Sequence, residues 1–191
     1  MSSANSLTID VASGLINGAR RVDSPNFDDR PPGSIPELIV VHGICLPPNE
    51  FGGPWIEALF LNRLPWDRHP YFKSIEGLVA STHLLIRRGG ELVQFVSLNR
   101  RAWHAGKSNY AGRERCNDFS IGIELEGADE IPYEAVQYEV LTKVVIALCA
   151  AYPSLSTERI VGHSDISPGR KTDPGPAFEW PRLRALLKGK D

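Results

Sequence analysis

The sequence predicts a single α/β (α+β) domain built on one mixed β-sheet with helices packed on its faces. Three observations predict it. The 191 residues are 42% hydrophobic and 23% charged, which suffices for one sizeable core. Short apolar runs typical of buried strands alternate along the chain with segments of helical periodicity. A glycine-rich hairpin signal near the middle of the chain adds an antiparallel pair, so the sheet is expected to be mixed.

The first third of the chain predicts an arm, a strand and a loop with a short helix. Residues 1–33 are polar and rich in turn-forming residues, and we expect an ordered arm packed on a domain that spans residues 1–191. Residues 38–41 form a continuous apolar run, which predicts a buried strand that delivers His42 at its end. Residues 47–70 favour a loop followed by a short helix, and their length suggests a lid or binding loop.

The middle of the chain predicts a hairpin and a second long strand. Residues 82–87 and 91–96 flank a glycine pair, which is the composition of a β-hairpin. In residues 120–126 the apolar residues alternate with Gly and Glu. Because side chains alternate across a strand, this pattern buries the apolar residues on one face and turns Glu124 to the opposite face.

The last third of the chain predicts two helices separated by a strand. Apolar residues recur at helical spacing in residues 133–152, which Pro153 follows. Residues 159–161 predict a last strand that leads through a glycine to His163, and residues 183–187 predict a closing helix.

Composition excludes several classes of function. Lys and Arg total 21 against 23 Asp and Glu, a net charge of −2, so we expect no nucleic-acid partner. The longest apolar run, residues 144–151, is too short to span a bilayer, and we expect no membrane partner. The beginning of the chain lacks the pattern of a secretory signal, and Cys45, Cys116 and Cys149 form no disulfide framework. We therefore expect a cytoplasmic protein with no obligatory protein partner.

Three residues supply the donor types of a metal site. His42, His163 and Asp173 each lie where a short apolar segment runs into a loop rich in Gly and Pro. Two imidazoles and one carboxylate form the donor set of a catalytic Zn²⁺ whose fourth position is open to water. The same residue types are also common at surfaces without a ligand, and no His-Glu-x-x-His signature is present. Spacing alone therefore leaves both interpretations open.

Four longer strings resemble the cytoplasmic N-acetylmuramyl-L-alanine amidases of the AmpD type. They follow one another in the order and at the spacings of that family, and the similarity extends from Ser24 to Leu187. The strings are residues 46–54, 101–106, 112–127 and 170–176. The resemblance implies the fold that these amidases share with peptidoglycan-recognition proteins and phage-type amidases.

The resemblance also implies a ligand set and a reaction. The residues matching His42, His163 and Asp173 bind zinc in that family, and those matching Glu124 and Lys171 are catalytic. The reaction is hydrolysis of the amide between the lactyl group of (anhydro-)N-acetylmuramic acid and L-alanine of the stem peptide, in cytosolic recycling of anhydro-muropeptides. Glu124 then acts as the base and Lys171 stabilises the oxyanion. Without the resemblance, the alternative for Glu124 is a solvated strand carboxylate, and a lysine such as Lys171 is more often a surface residue.

Substrate contacts are expected from three residues. Trp103 and His104 stand in the Ala-Trp-His-Ala-Gly string, where an exposed indole would pack on a sugar or peptide face. The resemblance favours Arg115 as the contact to a peptide carboxylate and leaves Arg113 undecided. His83, within a predicted strand, is interpreted as structural.

Two positions depart from the family pattern. Gly43 follows the first ligand where the family commonly has Asn, and Val79 stands where it can carry Arg. We expect both positions to face the substrate and to weaken or shift the preference for carboxylates of the stem peptide.

Two other classes of function were weighed against the amidase. A cell-wall fragment binder without activity would lack a metal ligand, whereas all three candidates are present here. A cysteine hydrolase would use Cys45 or Cys116, neither of which stands in an activating context.

Overall fold

The computed structural model describes residues 7–189, so the part of the predicted arm formed by residues 1–6 lies outside the described residues. The strands, β1 to β12 in chain order, are Thr8–Asp10, Leu15–Asn17, Arg20–Arg21, Phe27–Asp28, Leu38–Ile44, Leu84–Ile86, Leu92–Gln94, Arg101–Ala102, Asn109–Tyr110, Arg113–Glu114, Ser120–Glu126 and Ile160–Gly162. The helices, α1 to α5, are Trp55–Phe60, Pro70–Ser74, Ala135–Ala151, His163–Ile166 and Trp180–Lys188. Within this range no helix combines the length and apolar content needed to cross a bilayer.

Six strands form a central mixed sheet, as the sequence predicts. Their order is β12-β5-β11-β6-β7-β3. The first four are parallel to one another, β7 runs antiparallel to β6, and β3 is parallel to β7. The longest strands, β5 and β11, pair over seven residues, in a register that places Glu124 beside His42. This parallel pair therefore sets two predicted site residues next to each other.

The two faces of the central sheet carry different kinds of side chain. Alternate residues of β5 and β11, such as Val41 and Ile123, belong to the largest core cluster, which also contains the buried side chains of α3 and α5. Leu38 and Val40 point to the other face and join a separate cluster. His42 and Glu124 share that second face, so the predicted orientation of Glu124 is confirmed. The long helix packs behind the sheet, and the polar residues lie in front of it.

Helix α3 covers the predicted helical segment, with its ends set by local chemistry. Glu134 and Gln137 form a reciprocal capping box at its start, and the helix ends two residues before Pro153. Gln137 also donates to the carbonyls of Ile86 and Glu126. Its amide therefore joins the helix start to the ends of two sheet strands, which fixes the helix on the face away from the polar residues.

The described part of the N-terminal arm contributes strands that the sequence does not reveal. β1 and β2 form a hairpin with Ile16 buried, β3 is the edge strand of the central sheet, and β4 pairs with β8. β3 has only two residues, both Arg, so no hydrophobic pattern marks it. Pairing with β7, together with the hydrogen bond from Val22 N to the Gln94 carbonyl, holds it in place.

Two details differ from the sequence-based expectations. β5 continues past His42 to Ile44, because its backbone pairs with β11 to the end of that strand. A carboxylate on a strand is ordinarily solvated, yet Glu126 on β11 is only 2% exposed. It accepts hydrogen bonds from Gly52 N (2.6 Å) and from the guanidinium of Arg87 (3.1 Å). The neighbouring hairpin supplies the cation that makes this burial possible, which the strand's own sequence cannot show.

His83 is structural in the fold, in agreement with its interpretation from the sequence. The side chain is fully buried. Its Nδ1 accepts from Gly122 N (3.0 Å), and its Nε2 lies 3.0 Å from the Arg100 carbonyl, to which it donates. Burial, and secondarily the positive charge of Arg30, lowers the pKa of His83 to about 3. The ring is therefore neutral in the folded protein at any ordinary pH.

This burial predicts an acid-sensitive fold. In the unfolded chain His83 takes up a proton near its ordinary pKa of 6.5, whereas in the folded protein it does so only near 3. The unfolded state binds more protons in this window, so stability falls as the pH decreases from 6.5. Asparagine at position 83 keeps an acceptor for Gly122 N and does not titrate. Between pH 7 and pH 5 the wild type should lose about 2 kcal/mol more unfolding free energy than H83N.

Urea unfolding of both proteins at the two pH values measures this difference. Equal losses in the two proteins would show that His83 does not carry the proton linkage.

Candidate metal centre

Three donor atoms from distant parts of the chain converge at the carboxyl ends of the parallel strands. His42 Nδ1 lies 3.0 Å from His163 Nδ1, and each nitrogen lies 3.1 Å from Asp173 Oδ2. His42 is on β5, His163 begins α4 directly after β12, and Asp173 is in the loop that follows α4. The fold therefore brings together the three residues that the sequence proposes as ligands.

The spacing of these atoms fits a small cation. Donors about 2.0 to 2.2 Å from a tetrahedral Zn²⁺ lie about 3.3 Å from one another, close to the observed separations. Two nitrogen lone pairs and a carboxylate oxygen repel one another at 3 Å unless a cation or a proton lies between them. The three residues therefore form a candidate metal site, and the chemistry of the donors suits zinc.

Hydrogen bonds on the far sides of the imidazole rings determine which nitrogens face this centre. His163 Nε2 lies 3.1 Å from the Ala105 carbonyl, which can only accept, so this nitrogen carries the proton and Nδ1 keeps its lone pair. Burial lowers the pKa of His42 to about 4, so the His42 ring is neutral near pH 7. Burial alone would raise the pKa of Asp173, but hydrogen bonds to the two rings lower it, and the carboxylate is ionised. The neutral ring of His42 and the ionised carboxylate of Asp173 are in the states that ligate a metal.

Glu124 lies beside this centre with an unsatisfied carboxylate. It is the register partner of His42 on the neighbouring strand and is 8% exposed. Its Oε2 is buried and has no hydrogen-bond partner among the described residues. Burial, followed by the charge of Asp173, raises the pKa of Glu124 well above its ordinary value. A buried carboxyl oxygen without a partner is costly, which indicates a place for water or substrate.

A cavity of about 680 Å³ opens over the metal centre and contains most of the predicted site residues. Lys171 is exposed on its wall, and Trp103 lines it while the indole Nε1 donates to Asp28 (3.2 Å). Leu78 and Val79, 46% and 50% exposed, form part of the same wall. The volume is typical of a small-ligand site.

Arg115 is not in this cavity. It is exposed, with its Nε 3.2 Å from Asp118 Oδ2, and it lines an adjacent cavity of about 520 Å³. Arg170 lines both cavities and connects them. A contact between Arg115 and a substrate would therefore involve a part of the ligand distant from the metal centre.

His104 lines the cavity over the metal centre, with most of its surface in contact with protein. The ring is buried, with its Nδ1 2.9 Å from His42 Nε2 and its Nε2 3.1 Å from the hydroxyl of Ser120. Both ring nitrogens therefore have protein partners, and the ring contacts His42 as well as bordering the cavity.

Two further residues support the centre and were not identified from the sequence. Tyr133 donates from its hydroxyl to the carbonyl of Pro174, next to Asp173 (2.9 Å). A Cβ at Gly43 would lie 2.2 Å from that hydroxyl, so a larger residue there requires Tyr133 to move. Arg170 donates to the Ala105 carbonyl (2.7 Å), the same acceptor that His163 uses. An aromatic residue before a helix and an arginine in a loop carry no sequence signal for these roles.

The fold and the site together define a class of protein: a mixed α/β domain with a candidate mononuclear metal site at the carboxyl ends of its parallel strands, open to a ligand cavity. The cysteine thiols do not define an alternative catalytic centre among the described residues. Burial raises the pKa of Cys45 and Cys116, which disfavours the reactive thiolate.

Comparisons with known proteins identify the family. The family model described as N-acetylmuramoyl-L-alanine amidase matches residues 32–176. The chain is 58% identical over 174 residues to the 1,6-anhydro-N-acetylmuramyl-L-alanine amidase AmpD of Salmonella typhimurium, which covers 91% of this chain and 92% of that protein. The chain therefore belongs to the N-acetylmuramoyl-L-alanine amidase family.

Solved structures agree with this assignment. The crystal structure of a selenomethionine derivative of AmpD has a TM-score of 0.90 at 55% identity, over 94% of this chain and 98% of that one. AmpDh3 from Pseudomonas aeruginosa, in complex with anhydromuramic pentapeptide, has a TM-score of 0.58 at 29% identity, over 79% of this chain and 59% of that one. The predicted fold class is confirmed.

The donor geometry predicts that zinc binding requires the carboxylate of Asp173 but not that of Asp129, which lines the same cavity. Asp173→Asn should abolish stoichiometric zinc binding, because a neutral amide replaces the ionised oxygen. Asp129 lines the same cavity but is not part of the donor triangle, so D129N is the matched control and should retain zinc. Zinc content per chain after dialysis measures both. A D173N protein that keeps one zinc would remove this residue from the ligand set.

Proposed function

We propose that this protein uses Zn²⁺, held by His42, His163 and Asp173, to hydrolyse the amide between the lactyl group of anhydro-N-acetylmuramic acid and L-alanine of the stem peptide. The observation that carries the proposal is the triangle of donor atoms beside the unpartnered carboxyl of Glu124, in a member of the amidase family. The bound anhydromuramic pentapeptide of the Pseudomonas relative supports the substrate class.

The donor set fits the metal that the family implies. Two imidazoles and a carboxylate would hold the ion and would leave its fourth position to water or substrate from the cavity. A zinc ion bound there would polarise the amide carbonyl. It would also lower the pKa of a bound water, so that hydroxide is available at neutral pH. The remaining chemistry belongs to the side chains around it.

Glu124 is suited to move the proton. Its raised pKa brings the carboxyl closer to the pH at which it both accepts and returns a proton. In the proposed reaction it takes a proton from the attacking water and delivers it to the departing amine of L-alanine. The free Oε2 is the atom available for this transfer.

Lys171 is suited to stabilise negative charge. It stands two residues before Asp173 and lines the same cavity. An ammonium group placed there opposes the charge that develops on the carbonyl oxygen as the amide is attacked. Trp103 provides an apolar surface on the same wall for the sugar or the peptide.

The rest of the stem peptide is assigned to the second cavity. Arg115 and Arg170 line this cavity, and their guanidinium groups suit peptide carboxylates. Because Arg170 borders both cavities, a peptide that extends from the metal centre would pass it before reaching Arg115.

We place the reaction in the cytosol, where it would recycle peptidoglycan fragments. All three cysteines are unpaired in the described structure, which suits a reducing compartment. The named relatives act on anhydro-sugars, and this proposal carries that substrate to the present chain.

The proposed roles predict variants that bind zinc but turn over slowly. Glu124→Gln should lower turnover about 10²- to 10⁴-fold, because it removes the base while preserving the shape of the side chain. Lys171→Met should lower it about 10²- to 10³-fold, because it removes the charge. Both should retain zinc, since neither residue belongs to the donor triangle. Mass spectrometry of the products from a purified anhydro-muropeptide, with zinc content measured in parallel, gives both readouts.

Lys143→Met, an exposed lysine on α3 remote from the cavity, is the control for loss of a positive charge. Loss of zinc from E124Q, or unchanged turnover in either variant, would contradict the assigned role. Failure of the wild type to release the peptide would reject the proposed substrate.

The exposed apolar wall predicts a change in substrate preference. Val79 is half exposed on the cavity, so an Arg there has room to reach a carboxylate of the stem peptide. V79R should raise the ratio of kcat/KM for a free-carboxylate peptide over its amidated form up to about fivefold, the scale of an exposed ion pair. Val79→Gln supplies similar length without charge and should leave the ratio unchanged. An unchanged ratio in V79R would show that this wall does not face the peptide carboxylates.

A further inference from the structure

A second buried histidine is held against one of the proposed zinc ligands. The ring of His104 lies edge to face with that of His42, with ring centres 5.0 Å apart. Its Nδ1 is 2.9 Å from His42 Nε2, the nitrogen on the side of the ring opposite the metal centre. His42 and His104 are 1% and 8% exposed, so the contact between them is largely shielded from solvent.

Packing leaves the His104 ring no alternative position. A Cβ at Gly122 would lie 2.4 Å from His104 Cγ, so the ring occupies the space that only a glycine leaves open on β11. The backbone nitrogens of His104 and Ala105 both donate to Oδ1 of Asn117, at 3.2 and 2.8 Å. The backbone and the ring are thus fixed independently of His42.

The far side of the His104 ring is also satisfied. Its Nε2 lies 3.1 Å from the hydroxyl of Ser120, which is fully buried on β11. A serine hydroxyl can accept from this nitrogen, which leaves Nδ1 of His104 as an acceptor. His42 Nε2 then donates to it, and the lone pair of His42 remains on Nδ1, facing the metal centre.

We infer that His104 is a positioning residue that fixes the ring orientation and the tautomer of His42. The hydroxyl of Ser120 in turn fixes the orientation of His104. This inference rests on the proposed zinc function. Hydrogen-bonded partners on the outer side of a ligating histidine raise metal affinity by orienting the ring and its lone pair. His104 therefore acts on the metal through His42, whether or not it also borders the bound substrate.

Zinc affinity, measured by competition with a chromophoric chelator, tests the inference without an activity assay. H104A should weaken zinc binding about 10- to 100-fold. His104→Asn places an amide oxygen two bonds from Cβ, where Nδ1 stands in histidine, and should recover most of the affinity. Ser120→Ala does not touch His42 and should weaken zinc binding only through His104, by less than H104A.

H83N is the matched control, because it replaces a buried histidine on the same side of the sheet that has no hydrogen bond to a proposed ligand. It should bind zinc like the wild type. Nitrogen-15 chemical shifts of the zinc-loaded wild type should show protonated Nε2 on both His42 and His104.

The outcomes separate the inference from the proposed function. Wild-type affinity in H104A, or equal weakening in H83N and H104A, would overturn the positioning role while leaving the zinc site intact. An H104N protein as weak as H104A would also overturn it. If H104A does not fold, H104N and S120A decide the matter. A wild-type chain that binds no zinc would reject the proposed function itself.

Discussion

The structure depends on one electrostatic constraint: two imidazole nitrogens and a carboxylate oxygen are held 3.0 to 3.1 Å apart. These atoms repel one another unless a cation or proton lies among them, so their approach must be stabilised by the rest of the fold or by a ligand. The fold contributes through the far sides of both rings. Ala105 supplies a carbonyl to His163, and His104 supplies a ring nitrogen to His42.

The parallel sheet explains why one edge collects these groups. β5, β11 and β12 run in the same direction, so their carboxyl ends meet, and each end or the turn after it supplies a site residue. The largest hydrophobic cluster lies on the opposite face, under α3. The front face is therefore free to carry buried polar groups, most of which are hydrogen-bonded, whereas Oε2 of Glu124 has no partner among the described residues.

Much of the fold and of the site could be predicted from the sequence because periodicity and strand ends are local properties. Alternation in residues 120–126 places Glu124 on the polar face, and apolar runs deliver His42 and His163 to strand ends. Contacts between residues far apart in the chain leave no pattern in the local sequence. The burial of Glu126 depends on Arg87, and the position of His104 depends on the space above Gly122. The resemblance to amidases identified candidate site residues, but it did not show which of these residues contact one another.

The most direct test removes the metal from purified protein and follows cleavage of an anhydro-muropeptide by mass. The account predicts that the stripped protein releases no peptide and that one equivalent of Zn²⁺ per chain restores cleavage. Full cleavage by protein kept rigorously free of metal would contradict it, because the convergence of His42, His163 and Asp173 would then serve no catalytic purpose.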